Sequence, residues 1–459
     1  MRHSRRKRQK LPEEAIELQI QRLSHDGRGV ASIEGKIAFV DGAITGETVL
    51  AQFTSRRRQF DELKTVEVLS PSPDRVNPPC EFAGICGGCS MQHIAPAAQI
   101  ALKQSVLHEQ LQHIGNIERF ASIPPLRSQT EGYRRKARLA IRYVHKKESM
   151  LVGFREKNSS FIADMSSCAV LNRSVSDLIA PLRALLLGFE GRLALPQIEV
   201  AVGESAEAEA DGTHRPDRVA FIVRHLEPLP DADLQALLAF AQEHAIELYL
   251  QPKGPDSVHK LWPEDGCHRL YYYLPDFDLR LAFHPADFTQ VNGELNRAMI
   301  ARAMELLDPQ PEETVLDLFC GLGNFTLPIA RRVKAVVGVE GSQEMVERGA
   351  ENAAANGIDN ARFYSADLTI DFDETTWAQP VYDKILLDPP RSGAIEIIPR
   401  LAAFRAKKIV YISCNPATLA RDAGELVKHG YVMSQAGVMD MFPHTGHVES
   451  IAEFNLKKP

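Results

Sequence analysis

The chain has 459 residues, of which 44% are hydrophobic and 25% charged, so it is expected to be a soluble globular protein of two or three domains rather than a fibrous or disordered chain. Its net charge of −7 argues against a nucleic-acid partner only as a sum, because phosphate responds to local patches, and basic residues gather in "RHSRRKRQK", "SRRRQ" and "GYRRKARLAIRY". Seven cysteines, an odd number, exclude a disulfide framework and point to the reducing cytoplasm; the best apolar run, "LIAPLRALLLGF", is interrupted by Arg183, which excludes a membrane span.

Residues 1–14 read as a disordered basic arm, with no apolar segment behind it to make a secretory leader. Residues 15–72 have the texture of short strands and turns: "AIELQIQRLS" alternates at Ile16, Leu18 and Ile20, and "KIAFVDGAITGETVLAQF" reads as two strands about a turn. About five such strands predict a small OB-like β-barrel. "PSPDRVNPP" ends it. Next comes "CEFAGICGGC", in which Cys80, Cys86 and Cys89 are spaced C-x5-C-x2-C in a glycine-rich loop. Thiols so spaced suit either zinc or an iron–sulfur cluster. "APAAQIALKQSVLHEQLQHIG" is predicted helical. The span 73–280 is mixed and strand-rich, with a polar loop at 204–218 and an isolated Cys267.

The texture changes in the last span, 281–459. A helix, "ELNRAMIARAMELL", leads into apolar strands that alternate with helices: "TVLDLF", "AVVGVE", "ARFYSA", "YDKILLD" and "KIVYIS". That order predicts an α/β domain built on a doubly wound sheet. "VLDLFCGLGNFTLPIA" ends its strand in Asp317 and turns through Gly321-x-Gly323, where glycine lets the backbone approach a ligand. A dinucleotide fingerprint would want a third glycine where Thr326 stands. Glu340, Asp367 and Asp388 end the next three strands, and ligands of such sheets sit at the carboxyl ends. A lone GxG is usually a simple turn. Four acids on four successive strand ends resemble the S-adenosylmethionine-dependent methyltransferases instead.

Cys414, in "KIVYISCNPATLARD", lies just past an apolar strand at that same edge, where the rigid Asn415-Pro416 turn would hold its thiol. A lone cysteine is more often buried packing, and Cys320 in the glycine loop is expected to be that. A thiol beside a methyl donor has a specific use. Added to carbon 6 of uracil, a thiolate makes carbon 5 nucleophilic enough to take a methyl group; a base then removes the carbon 5 proton and the thiol leaves. Glu449 in "PHTGHVES" is the candidate base, weighed evenly against a surface glutamate at a strand start.

"DFTQVN", "DLFCGLGNFTLP", "VVGVEGS", "LLDPPR", "ISCNPATLARD" and "MFPHTGHVES" together resemble the RNA uracil-5-methyltransferases, from about residue 15 to the end. The barrel with its "HDGRGVA" turn is similar to a TRAM domain, and the cysteines to the iron–sulfur branch that acts on 23S ribosomal RNA. The resemblance implies Cys414 as nucleophile and Glu449 as base. It implies Gln290, Phe319, Asn324, Glu340, Asp367 and Asp388 around S-adenosyl-L-methionine. Cys80, Cys86, Cys89 and Cys168 would hold a [4Fe-4S] cluster tying the cysteine loop to the central domain. Arg138 and Phe288 would face the RNA, whose target base must leave its stack. The implied domains are a TRAM barrel (15–72), a central iron–sulfur and RNA-binding domain (73–280, with 94–125 packing on the catalytic part) and a catalytic domain (281–459), in a cytoplasmic monomer. A transfer-RNA enzyme would lack barrel and cysteines. A redox protein would want a flavin or second cluster motif, and a pure RNA-binding module would leave Cys414, Asp388 and Glu340 unexplained.

Overall fold

The computed structural model describes residues 11–205, 217–264, 266, 268–370, 375–379 and 381–457. The start of the basic arm, most of the 204–218 loop and Cys267 lie outside the described residues. The chain forms two units, one running to Lys103 and taking in Pro443–His447, the other holding Gln104–Phe442 and the chain from Val448. Among the described residues no helix is long and apolar enough to cross a membrane.

The first unit is a six-stranded sheet of β1 (Ile16–Gln19), β2 (Arg22–Leu23), β3 (Gly29–Ile33), β4 (Lys36–Asp41), β5 (Thr48–Arg56) and β6 (Phe60–Ser70), in the order β1-β5-β6-β4-β3-β2. The alternation along these segments turns one face inward, where Leu18, Val40, Val49, Ala51 and Leu63 form the core. Between β1 and β2, Ile20 bonds through its N–H to Glu47 while Gln21 bonds to Val30 on β3, so one continuous segment joins both edges of the sheet. Beyond the sheet, the cysteine loop and the start of helix α1 (Pro96–His113) hold the returning segment 443–447. Ser90 and Met91 donate their N–H groups to the His444 carbonyl at 3.0 and 2.9 Å. Gln99, fully buried, accepts from the His444 N–H at 2.9 Å and donates to the carbonyls of Met91 and Ile94 at 3.0 and 2.8 Å.

In the second unit, β7 (Ala121–Ser122) precedes a six-stranded sheet of β8 (Lys136–Val144), β9 (Ser149–Gly153), β10 (Gln197–Gly203), β11 (Arg218–Arg224), β12 (Ile246–Gln251) and β13 (His259–Trp262), ordered β13-β12-β11-β10-β8-β9. Helices α2 (Arg173–Ser176) and α3 (Ile179–Leu187) follow β9, and α4 (Asp231–Glu243) makes the crossover between the parallel pair β11 and β12. The hairpin β14 (Leu270–Leu274) and β15 (Leu279–Phe283) leads to α5 (Gly293–Leu307), which Asn292 caps by accepting the Leu295 N–H.

The last sheet contains β16 (Thr314–Leu318), β17 (Ala335–Glu340), β18 (Ala361–Ser365), β19 (Lys384–Leu387), β20 (Lys408–Ser413), β21 (Tyr431–Met439) and β22 (Glu449–Leu456), with α6 (Thr326–Ala330), α7 (Gln343–Ala355), α8 (Ile398–Ala403) and α9 (Pro416–Lys428) between them. Its order is β18-β17-β16-β19-β20-β22-β21-β7. The strands from β18 to β20 are parallel, and the order reverses between β16 and β19, which opens a crevice at their carboxyl ends. β22 enters antiparallel between β20 and β21, so its first residue lies at the edge where β20 ends. Strand β7 extends the sheet beside β21, placing residues just after α1 on this domain.

Candidate active site

The crevice edge is built by strands that run apolar to their last residue and then change character. β16 is buried through Leu318; Phe319 then takes φ 62°, with Gly321 and Gly323 at 54° and 97°. The two glycines adopt that left-handed backbone freely, but for Phe319 it is strained by about 1–3 kcal/mol. Such strain persists where surrounding structure enforces it, here at the mouth of the crevice.

The four acids divide into different roles. Asp317 is fully buried and accepts the Thr326 hydroxyl at 2.5 Å. Burial, with Asp388 and Glu340 nearby, pushes its carboxyl up to about 8, so it is mostly neutral at pH 7. It braces the turn rather than facing a ligand. Glu340 accepts the N–H groups of Gly321 and Ser342, each at 3.1 Å, tying the ends of β16 and β17 together while keeping lone pairs free. Asp367 is exposed, and hydrogen bonds from the Thr369 hydroxyl and N–H at 2.7 and 2.9 Å hold its carboxyl below the usual range. Asp388 is half-buried; desolvation and Glu340 push its carboxyl up to about 7.

Cys414 and Glu449 come together through strand register. β20 pairs β22 with Ser413 opposite Ser450, and the Ser450 hydroxyl donates to the Ser413 carbonyl at 3.2 Å. The next residue outward on each strand is Cys414 and Glu449. Glu449 is buried; its burial, together with Asp388, pushes the carboxyl up to about 8, against the pull of Arg391. Burial, then Glu449 and Asp388, push the Cys414 thiol up to about 11, again opposed by Arg391. Arg391 is therefore the cation that both groups feel, a residue the sequence reading passed over. Its signal was available in "LLDPPR", three residues beyond Asp388. Its backbone is fastened to the turn that follows Cys414, because Asn415 Nδ2 donates to the Arg391 carbonyl at 3.1 Å. Asn415 also caps α9 through the Ala417 N–H.

Gln290 and Phe288 stand on the loop before α5. Gln290 lines a small, partly open cleft with Tyr272 and Asn296. Phe288 is 72% exposed on a turn held rigidly from behind. There the Asp287 carboxylate accepts the His284 N–H at 2.7 Å and Arg348 Nε at 3.1 Å, while Lys136 donates to the Asp287 carbonyl. The half-buried Asn324 is bonded to Asn296 and Tyr272.

The basic run 134–142 differs from a solvated patch. Arg135 pairs with Glu204 and Asp217, Lys136 is turned inward, and Arg138 rests both Nε and Nη2 on Glu199 at 2.9 and 2.8 Å. Arg138 nevertheless stays 67% exposed, and Arg142 is exposed as well.

Cys80, Cys86, Cys89, Cys168, Cys320 and Cys414 form no disulfide. In the first unit's loop, the Gly88 N–H approaches Cys86 Sγ at 3.4 Å, and Cys80 is close enough to raise the Cys86 thiol beyond the effect of burial. Among the described residues no three or more His, Cys, Asp or Glu are grouped to hold a metal. Cys320 is buried with its thiol pushed far up by burial, a packing residue as expected.

A doubly wound sheet with this strand order, an acid-tipped crevice and a thiol–carboxylate pair at its edge define a methyltransferase-type domain. The sequence model of the tRNA (Uracil-5-)-methyltransferase family matches residues 274–455. A relative from Alcanivorax borkumensis, named 23S rRNA (uracil(1939)-C(5))-methyltransferase RlmD, is 53% identical over 99% of this chain and 99% of its own. The protein of that name from Hahella chejuensis is 52% identical over 98% and 99%. The solved structure of Pyrococcus abyssi tRNA (uracil-54, C5)-methyltransferase in complex with S-adenosyl-L-homocysteine superposes with a TM-score of 0.70 at 23% identity, covering 96% of this chain and 100% of its own, and shares the fold. The chain belongs to the RlmD family of 23S rRNA (uracil-C5)-methyltransferases.

Proposed function

We propose that the protein transfers a methyl group from S-adenosyl-L-methionine to carbon 5 of a uridine in 23S ribosomal RNA, uridine 1939 in the numbering its relatives' names use. The observation that supports the reading is the register of β20 against β22, in which Ser413 faces Ser450 and Cys414 and Glu449 follow at the crevice edge, close enough for Glu449 to raise the thiol. When bound, S-adenosyl-L-methionine supplies the electrophilic methyl and a positive sulfonium. Gln290, Phe319, Asn324, Glu340, Asp367 and Asp388 would hold it, with Glu340 taking ribose hydroxyls. The Cys414 thiolate adds to carbon 6, carbon 5 takes the methyl, Glu449 accepts the carbon 5 proton, and the electron pair left behind expels the thiolate. A carboxyl near 8 suits that proton transfer, because its affinity lies close to neutral pH. Arg391 would favour the thiolate. Phe288, exposed on a braced turn, offers a face to an unstacked base, and Arg138 would meet the RNA backbone. Replacing Cys414 by Ala should abolish methyl transfer to 23S ribosomal RNA; turnover within tenfold of the native rate would sink the covalent reading.

The barrel 15–72 we assign as a TRAM module that binds RNA, its tip carrying Arg56, Arg57 and Arg58. The span 73–280 we read as the central domain and 281–459 as catalytic, in the cytoplasm where ribosomal RNA is made. Cys80, Cys86 and Cys89, with Cys168 as the fourth thiol, would hold a [4Fe-4S] cluster. Its support is the C-x5-C-x2-C spacing and four thiols that form no disulfide. Methyl transfer has no net redox step, so the cluster would be structural. Protein purified without oxygen should carry four iron and four sulfide with visible absorption; bound zinc or no metal would overturn it.

A further inference from the structure

Asn296 is nearly fully buried one turn into α5, among Leu295, Met299 and Ile300. Asparagine is a poor interior helix residue and costly to bury without partners. Its partner is Asn324, and the two carboxamides bond reciprocally: Asn296 Nδ2 donates to Asn324 Oδ1 at 3.0 Å, and Asn324 Nδ2 to Asn296 Oδ1 at 2.9 Å. The Tyr272 hydroxyl, from β14, donates to the same Asn324 Oδ1 at 2.9 Å. Burial, with Glu204 nearby, pushes the Tyr272 phenol upward, so it keeps its proton.

The valences of Asn324 can then be counted. Its carboxamide has two lone pairs and two N–H bonds. Both lone pairs are taken, by Asn296 and Tyr272, and one N–H is taken by Asn296. One N–H remains, on a half-buried side chain beside the Gly321–Gly323 turn. Tyr272 and Asn296 also line the small cleft that Gln290 lines. Reversing the Asn324 amide alone would set N–H against N–H and C=O against C=O at Asn296, breaking both reciprocal bonds.

We infer that Asn296 and Tyr272 are positioning residues of the cofactor site, locking the Asn324 carboxamide so that its one remaining N–H is presented to an acceptor oxygen of S-adenosyl-L-methionine. The inference rests on the reading above that Asn324 lines that site. The lock is made before the ligand arrives, so binding spends nothing on ordering the amide.

The test is the affinity of the full-length protein for S-adenosyl-L-homocysteine by titration calorimetry, without RNA or turnover. Asn324→Ala and Asn296→Ala should each weaken it about 10-fold, and Tyr272→Phe, which keeps the packing, about 5-fold. In an Asn324→Ala background, Asn296→Ala and Tyr272→Phe should cause no further loss, because both act through that side chain. If Asn324→Ala weakens binding but the other two do nothing, or add their full effect in that background, the positioning role is overturned and the cofactor assignment of Asn324 stands. If Asn324→Ala leaves affinity unchanged, that assignment fails and the inference falls with it. Should Asn296→Ala not fold, Tyr272→Phe decides by the same comparison.

Discussion

Replacing Glu449 by Gln keeps the size of the side chain and removes its ability to accept a proton. If Glu449 removes the carbon 5 proton, Cys414 can still add to carbon 6 and the methyl can still be transferred. The adduct then has no efficient exit. Loss of a positioned base costs about 100- to 10,000-fold, so turnover should fall by that factor while RNA stays covalently attached. The raised carboxyl also sets a pH dependence. With a value of about 8, Glu449 is ionised to about 10% at pH 7, half at pH 8 and about 90% at pH 9. Breakdown of the native adduct should therefore rise nearly tenfold from pH 7 to 9. Stability runs the opposite way. Between its unfolded value near 4.5 and its folded value near 8, the native state holds a proton that the unfolded chain has lost, so stability declines as pH rises through that window. The full decline is on the order of 5 kcal/mol, and Gln at 449 should remove it. The assay is denaturing electrophoresis of radiolabelled 23S ribosomal RNA with the protein and S-adenosyl-L-methionine, alongside thermal unfolding across the whole window between the two values and beyond it to pH 9. Turnover within tenfold of native with no retained RNA, or a variant as pH-sensitive as the native protein, would refute the reasoning.

Arg391 opposes the upward shift of both Cys414 and Glu449, so Arg391→Met should move both groups to higher values and displace the pH–rate profile toward alkaline pH; an unchanged profile would show that its charge does not reach them. Gln99→Leu would strand the His444 N–H and the carbonyls of Met91 and Ile94, at a cost of about 2–4 kcal/mol read as a lower urea midpoint for the first unit; an unshifted midpoint would mean water replaces the side chain.

The crevice was legible in the sequence because its signals are local. An apolar strand followed at once by an acid or by Gly-x-Gly is a contiguous pattern, and Glu340 and Asp388 follow it, while Cys414 is the residue just past the apolar strand β20. Asp317 obeys the same pattern yet turns inward to Thr326, since position along a strand does not say which face a side chain takes. The basic run 134–142 reads in sequence as a local patch for phosphate, because the acids that Arg135 and Arg138 meet, Glu199, Glu204 and Asp217, lie far along the chain. Asn296 and Tyr272 had only a faint signal, a polar residue in the apolar stripe of α5, because their meaning depends on Asn324, 28 and 52 residues away.

By itself the sequence determined the alternation of strands and helices, the strand-end acids and the placement of a thiol just past a strand, since hydrophobic periodicity and turn chemistry act over a few residues. It left Glu449 balanced between base and bystander. Only the tertiary structure brings it to Cys414, by inserting β22 antiparallel between β20 and β21, so that the start of one strand meets the end of another. Desolvation at that meeting point, a property of the packed sheet and not of any short segment, then raised its carboxyl to where it can take a proton near neutral pH.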